Sequence, residues 1–274
     1  MEYLDKAMFL LWRVLRLLLL VYGAMVIYAY FMADSKIFLP PPPTYEDTPE
    51  ILKLVSGDRY RISALYLQNP QASYTILYSH GNATDLGQLR FVLEGLRQAG
   101  FNVFAYDYRG YGTSEGRPTE QGSYQDIQAA YRYLTEEQAI APERLILLGQ
   151  SVGGGPSTYL ASHYPVAGLI LESTFVSIFR VVFPFPIFPF DKFPNLRRIP
   201  QVDCPVFVIH GVLDATIPLW HGQALYAAAL EPKQSWWVEG ADHNNLMVVA
   251  GEARYYRAIA NFAQSVSHTN SVGD

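Results

Sequence analysis

Ser151 stands in Gly149-Gln150-Ser151-Val152-Gly153, directly after the apolar run LILL and before a stretch with helical spacing. A G-x-S-x-G pentapeptide between strand and helix places a serine hydroxyl on a sharp turn, since the flanking glycines allow a backbone path that a Cβ would obstruct. A glycine-rich helix start with an incidental capping serine would share the letters, but it has no need of a strand before it. A serine hydroxyl is a weak nucleophile at neutral pH, so it requires a general base within hydrogen-bond reach and a third group to orient that base. Asp214, in HGVLDATIP (210–218), and His243, in GADHNNL (240–246), each follow an apolar run, and both follow Ser151 in the order Ser, Asp, His. In those roles His243 takes the Ser151 proton and returns it to the leaving group, while Asp214 holds the imidazole tautomer and stabilises the imidazolium. Because the base must be neutral to accept a proton, activity should fall on the acidic side.

The rivals are weaker. His163 sits late in a helix pattern, His268 in the tail and His221 near a helix start, whereas His80 and His210 precede glycine at strand ends and read as structural hydrogen-bonding residues. Asp242 is the immediate neighbour of His243, and Asp107 precedes Ser151, against the required order. A tetrahedral intermediate also needs two N–H donors aimed at its oxyanion. The Val152 amide is one candidate, and the loop His80-Gly81-Asn82 supplies the other through Asn82, with Gly81 as the permissive hinge.

Residues so far apart must be brought together by a sheet. Beyond Thr44, short apolar runs alternate with amphipathic stretches, the pattern of a mostly parallel sheet covered on both faces by helices. Strands are expected at 51–55, 60–68, 75–80, 102–107, 145–150, 168–173, 205–210 and 235–240, the first two joined by a Ser-Gly-Asp hairpin turn. Helices are expected at 86–98, 121–135, 152–163, 219–230 and 246–263. The fold class is thus α/β, with eight strands and ligands expected at the carboxyl ends of the strands.

From Leu17 to Ala33 the chain carries no charge, and Arg13 and Arg16 can snorkel to the headgroups. A membrane-crossing helix needs about 17 to 25 apolar residues, which the run meets when extended at one end. A cleaved signal peptide or a buried core helix would share the apolarity, although Phe31 lies badly for cleavage after Ala33. Lys6, Arg13 and Arg16 precede the run and Lys36 alone closely follows it, so the positive-inside tendency keeps the N-terminus cytoplasmic and sends the rest across. Pro40 to Pro43 then read as an extended spacer. The expected organisation is an anchor over 1–36, a linker over 37–49, a catalytic domain over 50–266 with a cap near 174–200, and a tail over 267–274.

Composition closes off other chemistries. With 20 Lys+Arg against 25 Asp+Glu among 274 residues, the chain has no basic footprint for nucleic acid. Its one cysteine, Cys204, rules out an internal disulfide and a cysteine-based zinc site. There is no G-x-G-x-x-G after a strand, no Walker sequence and no H-E-x-x-H, so neither cofactor nor metal is expected. Asn82-Ala83-Thr84 matches the glycosylation sequon, but a glycan there would crowd the oxyanion loop.

Taken together, HGN (80–82), DYRGYGTSEG (107–116), GQSVGGGP (149–156), HGVLDATIP and GADHN (240–244) resemble the α/β-hydrolase superfamily over about residues 50 to 265. More narrowly they resemble its membrane-associated branch, which includes protein depalmitoylases. The resemblance assigns nucleophile, acid and base to Ser151, Asp214 and His243, and implies a structural role for Asp107 and Arg109. Those depalmitoylases attach to membranes through an N-terminal cysteine cluster, and here an apolar helix stands instead. Residues 175 to 193 hold seven phenylalanines interrupted by prolines, so the cap should be short and irregular. Phe175, Phe179 and Phe183 are its candidate substrate contacts, alongside the simpler reading that the rings pack on the sheet or dip into a bilayer. The expected activity is a membrane-anchored serine hydrolase acting on acyl esters or thioesters, lipid or acylated protein among them. The alternatives are a peptidase or amidase on the same fold and a catalytically silent binding module.

Overall fold

The computed structural model describes residues 2–57 and 59–270, the side chains of 267–270 excepted. Residues 271–274 of the expected tail, the His268 side chain and Asp58 of the hairpin turn lie outside the described residues, and the backbone of 267–270 is helical. Two units are separate in the chain, 1–37 and 38–274. The first is one helix, α1 (Glu2–Ile37), long and apolar enough to cross a membrane, with charges confined to its ends apart from Arg13 and Arg16.

In the second unit the apolar runs become β1 (Ile51–Ser56), β2 (Tyr60–Leu67), β3 (Thr75–Ser79), β4 (Asn102–Tyr106), β5 (Leu145–Gln150), β6 (Gly168–Glu172), β7 (Val206–Gly211) and β8 (Lys233–Val238). They form one sheet in the order β1-β2-β4-β3-β5-β6-β7-β8, antiparallel at β1-β2 and β2-β4 and parallel elsewhere. The central strands are continuous hydrophobic runs because both faces are covered. Leu86, Leu89, Leu93 and Leu96 line one side of α2 (Leu86–Gln98) and pack on the sheet with Tyr255, Ile259 and Phe262 of α9 (Glu252–Asn270). The opposite face carries α3 (Glu120–Arg132), α4 (Gly154–Ala161) and α7 (Trp220–Ala228). Asp85 caps α2 through the Gln88 amide and Thr119 caps α3 through the Gly122 amide, each satisfying an orphan N–H of the first turn.

The parallel register aligns the strand ends: Ser79 pairs with Gly149, Gln150 with Glu172 and Gly211 with Val238. After β3 the chain turns to one side for β4 and to the other for β5, so a crevice opens at the carboxyl ends of β3 and β5.

Three local features depart from the sequence reading. The last helical stretch is two helices, α8 (Leu246–Ala250) and α9, because Gly251 adopts φ +80° and ends the first. Helix α3 relaxes into a π-helical turn over Tyr133–Glu137. Residues after the apolar helix do not stand off as a spacer: the Thr44 amide and hydroxyl both bond Asp85, and the Tyr45 hydroxyl donates to Asp107 at 2.5 Å. The prolines hold this stretch extended, and the polar residues beyond them fasten it.

The cap is short and irregular. It contains α5 (Ile178–Val182) and α6 (Asn195–Arg198), and its base is pinched by Asp191, which accepts from the Ser177 hydroxyl at 2.6 Å and the Phe179 amide at 3.0 Å.

Candidate active site

Ser151 is the first residue after β5 and has φ +53°, a left-handed conformation that costs a side chain about 1–2 kcal/mol and persists only where its surroundings enforce it. The enforcement is visible atom by atom. A Cβ on Gly153 would lie 2.0 Å from the Ser79 carbonyl oxygen, and one on Gly149 would lie 2.5 Å from the Gly153 oxygen, so neither position admits a side chain. The Thr174 hydroxyl, just past β6, donates to the Ser151 carbonyl at 2.7 Å.

His243 and Asp214 arrive on neighbouring loops after β8 and β7. The loops are locked by the Leu213 amide donating to the Ala241 carbonyl at 2.9 Å, with that carbonyl only 2.5 Å from where a Gly211 Cβ would sit. His243 Nε2 lies 3.1 Å from Ser151 Oγ, and His243 Nδ1 lies 2.7 Å from Asp214 Oδ2. The other Asp214 oxygen accepts from the amides of Thr216 at 2.9 Å and Ile217 at 2.7 Å, which fixes the carboxylate plane. Ser151 and His243 remain partly accessible while Asp214 is buried. The structure therefore brings together the three residues singled out above.

The rivals find other work. Asp242 closes the turn before α8 by accepting from the amides of Asn244 and Asn245. Asp107 accepts from Tyr45 and from the Leu86 amide and lies 3.3 Å from His80 Nε2. Arg109 pairs with buried Asp126 at 2.9 Å. His210 Nε2 donates to the Ile217 carbonyl at 2.7 Å, which holds the loop bearing Asp214, and burial pushes its pKa down. His163 is exposed. His221 lies near the start of α7, as expected, and is fully buried; its Nδ1 accepts from the Val176 amide at 3.2 Å, and burial first, then nearby His210 and Arg180, push its pKa down to about 4.

Val152 follows the serine directly, and the loop that carries Asn82 runs beside it. Val152 opens the turn into α4, where the first N–H groups have no acceptor within the helix. The His80-Gly81-Asn82 loop passes alongside: a Cβ on Gly81 would lie 3.5 Å from Ser151 Cβ.

Sequence reasoning did not foresee a carboxyl network behind the serine. Glu172, at the end of β6, is fully enclosed; it accepts from Gln150 Nε2 at 3.1 Å and the Tyr255 hydroxyl at 2.5 Å, and burial raises its pKa. Its strand-end position was the only available signal, because Tyr255 lies 83 residues away in sequence. Of the cap phenylalanines, Phe175 is buried against Phe193, Phe179 packs on Phe188 and Phe190, and Phe183 packs on Phe188. The cap holds a cavity of about 340 Å³ walled by Val176, Arg180, Phe188, Phe190 and Leu196, with none of the three candidate rings in its lining. Among the described residues no cluster of His, Cys, Asp and Glu is placed to hold a metal ion.

The family described as serine aminopeptidase, S33, matches residues 70–190. Alpha/beta hydrolase domain-containing protein 17B of Homo sapiens is 38% identical over 246 residues, spanning 78% of this chain and 85% of that protein. The chain belongs to the α/β-hydrolase superfamily. Within it, protein 17C of Mus musculus is 42% identical over 202 residues, covering 73% of this chain and 61% of the relative. Among solved structures, a Pyrococcus furiosus esterase superposes with a TM-score of 0.69 at 19% identity, over 83% of this chain and 99% of its own. A Rhodococcus esterase gives 0.63 at 20% identity, over 79% and 99%. These superpositions extend the hydrolase fold across most of the chain, and the superfamily makes it a hydrolase.

Proposed function

We propose that this hydrolase is a serine enzyme that cleaves acyl esters or thioesters through an acyl-enzyme intermediate, with Ser151 as nucleophile, His243 as general base and Asp214 as the residue orienting it. The observation that carries the reading is the continuous chain of contacts from Ser151 Oγ through His243 to Asp214, 3.1 and 2.7 Å long. As Oγ attacks the carbonyl carbon, its proton passes to His243 Nε2 and the C=O π electrons move to oxygen. Collapse of the tetrahedral intermediate expels the alcohol or thiol, which takes that proton. Water then attacks the acyl-enzyme by the same route in reverse roles. The amides of Val152 and Asn82 are the proposed donors to the oxyanion, where a single donor is worth about 10²–10³ in kcat.

Support for an acyl substrate comes from the phenylalanine-rich cap and from the esterases that share the fold. The family name that matches residues 70–190 favours amides as the second reading, since the same geometry serves peptide bonds. Helix α1 is the proposed membrane anchor, with Lys6, Arg13 and Arg16 keeping its start cytoplasmic and the catalytic domain on the opposite side. The proposed organisation keeps the anchor at 1–36, a connecting segment at 37–49 and the catalytic domain at 50–266.

One experiment tests these together. In sealed vesicles oriented as in the cell, a membrane-impermeant fluorophosphonate should label the wild-type chain only from the non-cytoplasmic side, and Ser151→Ala should abolish labelling. Purified protein should then hydrolyse acyl esters and thioesters of increasing chain length faster than peptide-amide reporters. Labelling that survives in Ser151→Ala overturns the nucleophile, labelling from the cytoplasmic side overturns the orientation, and faster turnover of amides overturns the substrate class.

A further inference from the structure

The stretch that joins the apolar helix to the sheet ends on the loop beside the nucleophile. The Leu39 amide donates to Asn82 Oδ1 at 2.9 Å and also to the Tyr111 hydroxyl oxygen at 3.0 Å. That hydroxyl in turn donates to the same Asn82 Oδ1 at 2.6 Å, and the Ala83 amide adds a bond at 2.9 Å. Three donors thus converge on one amide oxygen, the Leu39 N–H being shared between it and the Tyr111 hydroxyl, and together they hold the Asn82 side chain in place. Ala83 has φ +55°, so the turn adopts a conformation that a non-glycine residue enters at a cost and keeps only under such constraint.

Five residues after Leu39 the same stretch is pinned again, at Thr44. Asp85 accepts from the Thr44 amide at 2.7 Å and from the Thr44 hydroxyl, while capping α2 through the Gln88 amide at 3.2 Å. Phe38 is buried edge-on to Tyr108, Tyr111 and Phe193, at 6.3, 6.4 and 6.0 Å. Burial raises the Tyr111 pKa, so its hydroxyl stays protonated and remains a donor.

We infer that residues 38–44, acting with Tyr111 through the Asn82 side chain, form a strap that positions the loop 80–83 against Ser151. This deepens the proposed function and rests on it, because the loop matters only if its amide meets a developing oxyanion. The physical reason is preorganisation: a donor that must be reoriented during the reaction gives back part of its stabilisation, whereas one already fixed does not. Tyr111 and the Leu39 amide are positioning groups and touch no reacting atom.

The test uses the full-length protein in detergent, with p-nitrophenyl butyrate as substrate. Tyr111→Phe removes one donor to Asn82 Oδ1, and Asn82→Ala removes the acceptor while keeping the backbone N–H. Each should lower kcat about tenfold, a fraction of the full loss of a donor, with KM changed less than about twofold, and should slow fluorophosphonate labelling in proportion. The double variant should be no worse than Asn82→Ala alone, because that change already removes the acceptor of the Tyr111 hydroxyl. If either protein fails to fold, Leu39→Pro deletes the strap's N–H by another route and should give the same split between kcat and KM. Unchanged kcat, a loss confined to KM, additive losses, or a lower Tm with normal turnover would overturn the strap. Failure of the underlying reading looks different: the wild type would go unlabelled, or Ser151→Ala would still label, before any strap variant is made.

Discussion

The rim at the strand ends and the tip of the cap are built by different means. At the rim, Asp214 accepts two backbone amides and faces the imidazole, the Ser151 carbonyl is held by Thr174, and glycine-to-carbonyl approaches leave no room for a methyl group. At the tip, Val182 is 70% and Phe185 61% exposed, and the remaining order comes from ring contacts such as Phe179 with Phe188 at 5.0 Å. Hydrogen bonds fix atoms to within a few tenths of an ångström, whereas aromatic pairs are satisfied over roughly 4.5–7 Å between centroids. The difference teaches that the strand-end rim is held by bonds that admit little movement, while the tip of the cap is a surface that can change at little cost in stability.

The sharpest way to break that contrast is Asp214→Asn. It keeps the volume and the acceptor for Thr216 and Ile217 but turns an N–H toward His243, favouring the wrong tautomer. Turnover of p-nitrophenyl butyrate should fall by about 10⁴ with Tm nearly unchanged; a loss under about tenfold would mean that the rim does not work as a unit.

A smaller effect sharpens the boundary between the regions. His221, folded value about 4, stacks on Trp220 at 3.7 Å and accepts from the first residues of the cap. From an unfolded value of about 6.5, the unfolded chain binds the proton first as pH falls. The contribution of His221 is therefore complete above about pH 6.5 and is lost progressively toward pH 4, with a slope of up to about 1.4 kcal/mol per pH unit. His210 shifts in the same direction. Melting temperatures of the wild type should drop between pH 7 and 4.5, and His221→Gln should flatten that drop; an equal drop in both would remove His221 from the account.

The smallest effect on stability belongs to the tip. Phe185→Ser should shift stability by no more than about 0.5 kcal/mol and leave acetyl ester turnover intact while raising KM for long-chain esters. An equal change at every chain length would break the division of labour.

Legibility in the sequence follows the same division. The serine turn could be read because its requirements are local: an apolar strand, two glycines and a helix within a dozen residues. Asp214 and His243 could be read because strand ends are where side chains meet. The strap could not, since its key donor is a backbone N–H and its prolines carry the composition of a linker. Nor could the break at Gly251, because a glycine inside an amphipathic run does not announce a positive φ until the neighbouring packing is known. The role of Glu172 depends on Tyr255, and nothing in either local pattern pairs them.

Phe193 closes the cap onto the body: its amide donates to Glu120 Oε1 at 2.7 Å, and its ring occupies the space that a Gly155 Cβ would need, 2.2 Å from the nearest carbon. Anyone grafting a cap from another hydrolase onto this scaffold must therefore transplant Phe193 together with Gly155 and Glu120 or cut within 182–190, for a junction placed at the base would put a foreign side chain into the helix that follows Ser151.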